Sequence, residues 1–172
     1  AARQTVGEAF PIMLDTNCPW TEAEAHERAA ALRQFKLHWL EEPIFPPENF
    51  KALASLQEKF DIPIAAGENA CTSFEFEKMF EAGAVRYAQP SVTKVGGVTE
   101  LRKVASQCSV AGVQLMPHSP YFGPGFLATL QLAALESSDC MIERFYLTPE
   151  ASLYGEWIDP TEGAFAIPEG PG

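Results

Sequence analysis

The feature that most constrains the fold is a regular alternation of short apolar segments with segments of helical periodicity. Six apolar segments are predicted to be strands, at residues 11–15, 37–42, 62–67, 85–90, 113–118 and 140–145. Helices are predicted at residues 21–35, 47–60, 72–82, 98–110 and 125–137. Apolar strands that alternate with amphipathic helices indicate an α/β fold with a parallel sheet buried on both faces. The repeat of about 25 residues favours a (β/α) barrel of the TIM type.

Six strand–helix units are too few for an eight-stranded barrel. We therefore expect this chain to hold the third to eighth strands of a (β/α)7–8 barrel, with the first strands and any N-terminal domain outside it. Residues 1–145 are predicted to form the C-terminal part of the barrel, and residues 146–172 an irregular tail rich in Pro and Gly. A doubly wound open sheet is the alternative. That fold normally carries a Gly-rich phosphate loop after its first strand, and the sequence DTNCPW at residues 15–20 is not one.

Charge and composition argue against several kinds of partner. The net charge of −11 argues against nucleic acid, which needs a basic surface, and against anionic membrane surfaces. No apolar run approaches the roughly 20 residues of a membrane span. The four cysteines lie far apart and form no CxxC pair, which favours reduced thiols in a cytoplasmic protein over a zinc site.

Carboxylates end three successive strands of the predicted barrel. Asp15 closes the first, Glu41 and Glu42 close the second, and Glu68 closes the third. Glu41 follows Asp15 by 26 positions, and Glu68 follows Glu41 by 27, so the three acids recur with the strand repeat. Buried carboxylates are costly unless they are paired or bound to a cation. The simplest purpose is an oxygen-ligand site for a hard divalent cation such as Mg²⁺.

The remaining strand ends complete a candidate active site, because barrel enzymes place their chemistry at the C-terminal ends of the strands. These ends carry Gln89 with Ser91, then His118, then Glu143. A cation that binds a substrate carboxylate acidifies the proton on the neighbouring carbon and stabilises the enediolate left by its removal. His118 is a candidate base or acid, since imidazole titrates near neutrality. Glu143, if protonated, could donate a hydrogen bond to the substrate carboxylate or the enediolate.

Seven short motifs give the chain a resemblance to a known family. They are MLDTN, WLEEP, AAGEN, QPSVTKVGG, MPHSP, IERF and, in the tail, AIPEGPG. In this order and spacing they resemble the C-terminal barrel of the enolase superfamily, in its mandelate racemase / muconate lactonizing enzyme branch. The resemblance covers essentially the whole chain. It implies a Mg²⁺-dependent lyase or isomerase that acts on a small-molecule carboxylate substrate. Members of the family commonly form homo-oligomers and carry an N-terminal capping domain, and residues 146–172 would pack toward that domain.

The resemblance also assigns roles to individual residues. The implied Mg²⁺ ligands are Asp15, Glu41 and Glu68, with Glu41 preferred to Glu42 because the family's ligand lies two positions before the proline. The implied catalytic residues are His118, which matches the histidine base, and Glu143, which matches the acid that binds the substrate carboxylate. Asn17 and Asn69 would lie near the metal or the substrate, Ser91 would contact the substrate, and Lys94 would be structural.

The chain departs from the family pattern at the strand end that carries Ser91. The racemase group has there an aspartate that pairs with the catalytic histidine, and the lactonizing group has a catalytic lysine. We therefore favour dehydration of a sugar acid, in which His118 expels the β-hydroxyl as a general acid. Racemisation or epimerisation is the next hypothesis, and cycloisomerisation the third. A non-catalytic, metal-binding barrel relic and an unrelated α/β binding module are the alternatives from other classes.

Overall fold

The structure is a computed structural model that describes residues 1–136, 140–148, 150–151 and 154–167. Its centre is a parallel sheet in which each strand pairs with the next one along the chain. The strands are β1 (Met13–Asp15), β2 (Trp39–Glu41), β3 (Ile64–Ala66), β4 (Tyr87–Ala88) and β5 (Gln114–Leu115). Asp15 lies opposite Glu41 in the register of β1 with β2. The sequence-order pairing brings the C-terminal ends of all five strands to one edge of the sheet.

Helices precede, connect and follow the strands, and all but the first contribute residues to the core against one face of the sheet. They are α1 (Ala2–Val6), α2 (Glu22–Leu32), α3 (Phe50–Phe60), α4 (Ser73–Glu81), α5 (Val98–Ala111) and α6 (Pro124–Ala133), with short 3-10 turns at Arg33–Phe35 and Gly155–Ile158. Capping residues set where these helices begin. Thr21 and Glu24 form a capping box at α2. Thr72 caps α4, and the Glu75 carboxylate accepts from the backbone N–H of Cys71.

The side chains of the strands alternate between two environments, as the pleat of a sheet requires. Leu40, Ile64 and Ala88 point toward the helices and join the main core, where Phe76 is fully buried. Trp39, Ala65, Tyr87 and Met116 share a smaller cluster on the opposite face, which we call the interior face. Glu41 follows Trp39 by two positions and therefore lies on the interior face as well.

Two predicted elements differ in the structure. The prediction of a strand at residues 140–145 is wrong, because these residues form no β-ladder. The segment instead contacts the residues after β5 through individual hydrogen bonds. The backbone N–H of Met141 lies 3.3 Å from Sδ of Met116, and the Ser119 hydroxyl donates to the carbonyl of Glu143 at 3.0 Å. The helix predicted at residues 125–137 spans Pro124–Ala133, and residue 137 lies outside the described residues. Within the described part of the chain, every helix is too short or too polar to cross a membrane.

Candidate active site

Three of the predicted site residues converge at the C-terminal edge of the sheet. Glu41 ends β2, Glu68 follows β3 by two residues, and His118 follows β5 by three. One possible ligand atom from each of these side chains lies within 4.8 Å of the other two. Glu41 is buried, and the other two are partly buried. Three side chains that lie 27 and 50 positions apart along the chain thus form one polar cluster, which we call the strand-end cluster.

Neutral hydrogen-bond donors hold the Glu41 carboxylate in place. The indole Nε1 of Trp39 donates to Oε2 at 2.9 Å, and the Gln89 side chain also bonds this carboxylate. Burial raises the pKa of Glu41 to about 7, the two hydrogen bonds oppose that rise, and the charges of Asp15 and Glu143 add to it. Glu41 is therefore a buried acid crowded by other acids, and a nearby cation would favour its ionised form.

His118 lies between two carboxylates. Its Nδ1 is 3.1 Å from a carboxylate oxygen of Glu68 and 3.1 Å from one of Glu143, and neither contact has the alignment of a hydrogen bond. Burial lowers the pKa of His118, but the Glu143 and Glu68 carboxylates raise it by more, so the net shift is upward. The backbone N–H of Ser119 donates to the Glu143 carboxylate at 3.2 Å, which fixes Glu143 beside the imidazole although no strand forms there.

Glu68 also has a cationic neighbour. Nζ of Lys94 lies 3.7 Å from Oε1 of Glu68, and the Lys94 side chain is 41% exposed. Burial raises the pKa of Glu68, and the charges of Glu42 and Asp15 act in the same direction, whereas His118 and Lys94 lower it.

Asp15 lies beside the strand-end cluster rather than within it. Its register partner is Glu41, and its charge contributes to the raised pKa of both Glu41 and Glu68. Its Oδ1 accepts the backbone N–H of Asn17 at 2.9 Å, in the turn that Asn17 and Cys18 make with positive φ. The Asn17 side chain is exposed. The metal-ligand role of Asp15 and the substrate-binding role of Asn17 stay predictions.

Ser91 is fully buried and is bonded within the protein. Its hydroxyl shares hydrogen bonds with the Tyr121 hydroxyl and, at 3.0 Å, with the Thr93 hydroxyl. The edge of the Tyr121 ring contacts the His118 ring, with the ring centroids 5.9 Å apart. Ser91 is therefore linked to His118 through Tyr121, and its predicted contact with substrate stays a prediction.

Sequence reasoning did not foresee the contacts of three residues of the site, although Gln89 and Glu42 were among the predicted strand ends. Trp39 and Gln89 support Glu41, and Trp39 could have been found because residues two apart on a strand share a face. The third is Glu42, which is buried and accepts hydrogen bonds from the Cys18 thiol and the Asn69 amide. No sequence pattern indicates a thiol–carboxylate contact across two loops.

The donor set of this edge fits a hard divalent cation. Glu41 and Glu68 offer carboxylate oxygens, Asp15 lies opposite Glu41, and the hydrogen-bond partners described for Glu41 are neutral. Divalent cations with a preference for oxygen ligands are bound by such carboxylate groups. The negative charge at this edge is only partly offset by Lys94, which is half exposed.

The whole chain, residues 1–172, matches the model of a family described as enolase C-terminal domain-like. The chain belongs to this family. This enolase C-terminal domain-like chain is 32% identical, over 176 residues, to a 3,6-anhydro-alpha-L-galactonate cycloisomerase of Streptomyces coelicolor. The aligned region covers 100% of this chain and 46% of the cycloisomerase. The chain therefore spans about half the length of this curated relative.

Solved structures give the same family and fold. The chain is 31% identical to an L-talarate dehydratase of a Polaromonas species complexed with Mg and L-glucarate, with a TM-score of 0.73 over 82% of this chain and 38% of the dehydratase. A mandelate racemase/muconate lactonizing enzyme, also from Polaromonas, is 32% identical, with a TM-score of 0.75 over 84% and 38% of the two chains. The resemblance to this branch of the enolase superfamily and the prediction of a partial (β/α) barrel are confirmed.

Proposed function

We propose that this chain supplies the cation ligands and one acid/base group of a Mg²⁺-dependent enzyme that removes the α-proton of a carboxylate substrate. The proposed reaction is dehydration of a sugar acid. The observation that carries the proposal is the strand-end cluster, in which Glu41, Glu68 and His118 come within 4.8 Å of one another. The related L-talarate dehydratase was solved with Mg and L-glucarate, which supports both the cation and the sugar-acid substrate class.

Asp15, Glu41 and Glu68 would hold the Mg²⁺. When bound, a divalent cation withdraws electron density from a substrate carboxylate and makes the neighbouring C–H more acidic. The residues of this chain then orient and move the protons. Trp39 and Gln89 hold Glu41 so that its oxygens stay at the edge of the sheet. Burial of Glu41 limits competition from water at its carboxylate, which strengthens the electrostatic interactions of that group.

His118 suits the role of general acid in this scheme. The carboxylates of Glu68 and Glu143, each 3.1 Å from Nδ1, favour its protonated form, and a protonated imidazole can donate a proton to a departing β-hydroxyl. Loss of that hydroxyl as water after removal of the α-proton gives an enol, which becomes a 2-keto acid. Glu143 would hold the imidazole and, when protonated, bind the substrate carboxylate.

Cycloisomerisation is the second candidate, because the Streptomyces coelicolor relative is a cycloisomerase at 32% identity. It needs the same cation and the same α-proton chemistry, but the leaving group is an oxygen of the substrate's own ring and no water is lost. Racemisation or epimerisation would need a second base on the opposite side of the substrate. The products therefore separate these reactions.

The test uses the full-length protein with Mg²⁺ and a panel of sugar acids in deuterium oxide. Nuclear magnetic resonance follows deuterium at the α-carbon, and mass spectrometry follows loss of water. A 2-keto acid that appears with Glu77→Gln, an exposed control on α4, but not with Glu68→Gln supports dehydration. Isomerisation without loss of water supports cycloisomerisation, and exchange alone supports racemisation. Saturable Mg²⁺ binding without turnover of any sugar acid contradicts the proposal and favours a metal-binding relic.

A further inference from the structure

Glu42 is a buried carboxylate that accepts three hydrogen bonds from two neighbouring loops. Its side chain is 3% exposed. The Cys18 thiol lies 2.9 Å from Oε2, the Asn69 amide Nδ2 lies 2.5 Å from Oε2, and the backbone N–H of Gly67 lies 3.5 Å from Oε1. These three donors use both carboxylate oxygens.

The donors belong to the loops that carry the proposed Mg²⁺ ligands. Gly67 and Asn69 are the two residues that flank Glu68, so the Glu42 carboxylate is bonded on both sides of that ligand. Cys18 lies three residues after Asp15, and its backbone N–H donates to the carbonyl of Glu42 at 2.6 Å. Glu42 thus joins the ends of β1, β2 and β3 at one point.

The backbone at this point favours a fixed arrangement. Glu42 has a φ of 41°, and Asn17 and Cys18, opposite it, have φ of 55° and 51°. Positive φ costs energy in residues with a side chain and persists only where surrounding contacts hold it. The bonds from Cys18, Gly67 and Asn69 are such contacts.

We propose that Glu42 is a positioning residue for the cation site, which acts by holding Glu68 and the loop of Asp15 and does not itself bind the ion. The inference rests on the Mg²⁺ site of the proposed function. A ligand bound to a cation must be held in one orientation, and loss of a group that holds a ligand typically lowers metal affinity about 10- to 100-fold. Among the described residues, the ligand atoms that converge belong to Glu41, Glu68 and His118 and not to Glu42, whose two oxygens accept three hydrogen bonds from the loops.

The substitution Glu42→Gln keeps the shape of the side chain and changes one acceptor oxygen into an N–H₂ donor. Whichever way the amide is turned, it places a donor against either Gly67 or the pair of Cys18 and Asn69. At least one buried donor then loses its acceptor, and the loop it holds is released. Glu48→Gln is the matched control, because Glu48 lines the same crevice on the same loop, is exposed, and carries the same charge.

The experiment is titration calorimetry of the full-length protein with MgCl₂ in the absence of substrate. We expect Glu42→Gln to weaken Mg²⁺ binding about 10- to 100-fold, Glu48→Gln to remain within about twofold, and Glu68→Gln to abolish binding. The melting temperature of each Mg²⁺-free protein is measured beside it. A purely structural role would shift that melting temperature and leave the Mg²⁺ dissociation constant unchanged, which would overturn the inference.

Other outcomes are equally decisive. If the wild-type protein binds no Mg²⁺, the proposed function and the inference both fail. If the wild type binds Mg²⁺ and Glu42→Gln binds it equally well, the inference alone fails. Should Glu42→Gln not fold, Cys18→Ala and Cys18→Ser decide: weaker binding in the alanine variant, restored by the serine hydroxyl, supports the inference, and equal binding by both overturns it.

Discussion

Gly67, which precedes Glu68, is predicted to tolerate no side chain. Its φ is +131°, a region that residues with a Cβ rarely adopt. A Cβ built on it would lie 2.7 Å from Cε1 and 3.0 Å from Cζ of Phe76, and 3.2 Å from the backbone N of Gln89. Phe76 is fully buried between α4 and the sheet, so its ring has little room to move.

The expected cost of Gly67→Ala combines two effects. Backbone strain of this kind costs about 2 kcal/mol, and forcing a methyl group into a packed core costs about 2 kcal/mol more. We therefore expect the free energy of unfolding to fall by about 4 kcal/mol. Gly112→Ala is the matched control, since Gly112 has a left-handed φ of 68° at the end of α5 and a Cβ there would meet nothing within 4 Å. It is expected to cost about 1 kcal/mol.

Urea denaturation of the full-length variants, followed by tryptophan fluorescence, measures both costs. Phe76→Leu separates the two contributions, because a leucine lacks the ring atoms that the new methyl group would meet. Compared with Phe76→Leu alone, Gly67→Ala is then expected to cost about 2 kcal/mol of backbone strain, with the contact to the backbone N of Gln89 remaining. The reasoning is refuted if Gly67→Ala costs no more than Gly112→Ala, or if the leucine leaves its cost unchanged.

Three further predictions concern the strand-end cluster. Trp39→Phe removes the indole donor to Glu41 and is expected to weaken Mg²⁺ binding by about tenfold in calorimetry. Tyr121→Phe removes the hydroxyl bonded to buried Ser91 and should cost about 1 kcal/mol in urea denaturation, whereas the same change at exposed Tyr146 should cost nothing measurable. EDTA should lower the melting temperature of the Mg²⁺-loaded protein, whereas EGTA should not. With free Mg²⁺ at a hundredfold excess over its dissociation constant, the bound cation is expected to stabilise the fold by up to about 3 kcal/mol, which EDTA would remove.

Local signals in the sequence were sufficient to predict most of the helix layer. Helices α2 and α4, capped by Thr21 and Thr72, begin within one residue of the starts predicted at residues 21 and 72. Strand positions were also predictable from apolar runs, although the ladders are only two or three residues long. The prediction failed at residues 140–145, because an apolar run does not by itself determine ladder pairing, and none of these residues is fully buried. That segment is instead held by individual hydrogen bonds to Ser119 and Met116.

The sequence was sufficient to predict which residues of the candidate site lie at the same edge of the sheet. Acids that end neighbouring parallel strands must meet at one edge, and Glu41 and Glu68 do so with His118. The exact partners of each acid depend on side-chain orientation. Asp15 bonds its own turn through Asn17, and Glu42 turns toward Cys18 and Asn69. These hydrogen-bond partners depend on the conformation of loops in which Asn17, Cys18 and Glu42 have positive φ. The spacing of the acids along the chain does not predict that conformation.

The alternation of side chains along β2 limits how such a chain can change in length. Leu40 belongs to the helix layer, whereas Trp39 and Glu41 lie on the interior face. Inserting or deleting one residue within the strand would exchange these faces and turn the acid into the apolar core. The acids of β1, β2 and β3 recur at 26 and then 27 positions. Length variation of that kind is tolerated in the loops, so insertions and deletions among related sequences are expected to avoid the few residues between a strand and its acid.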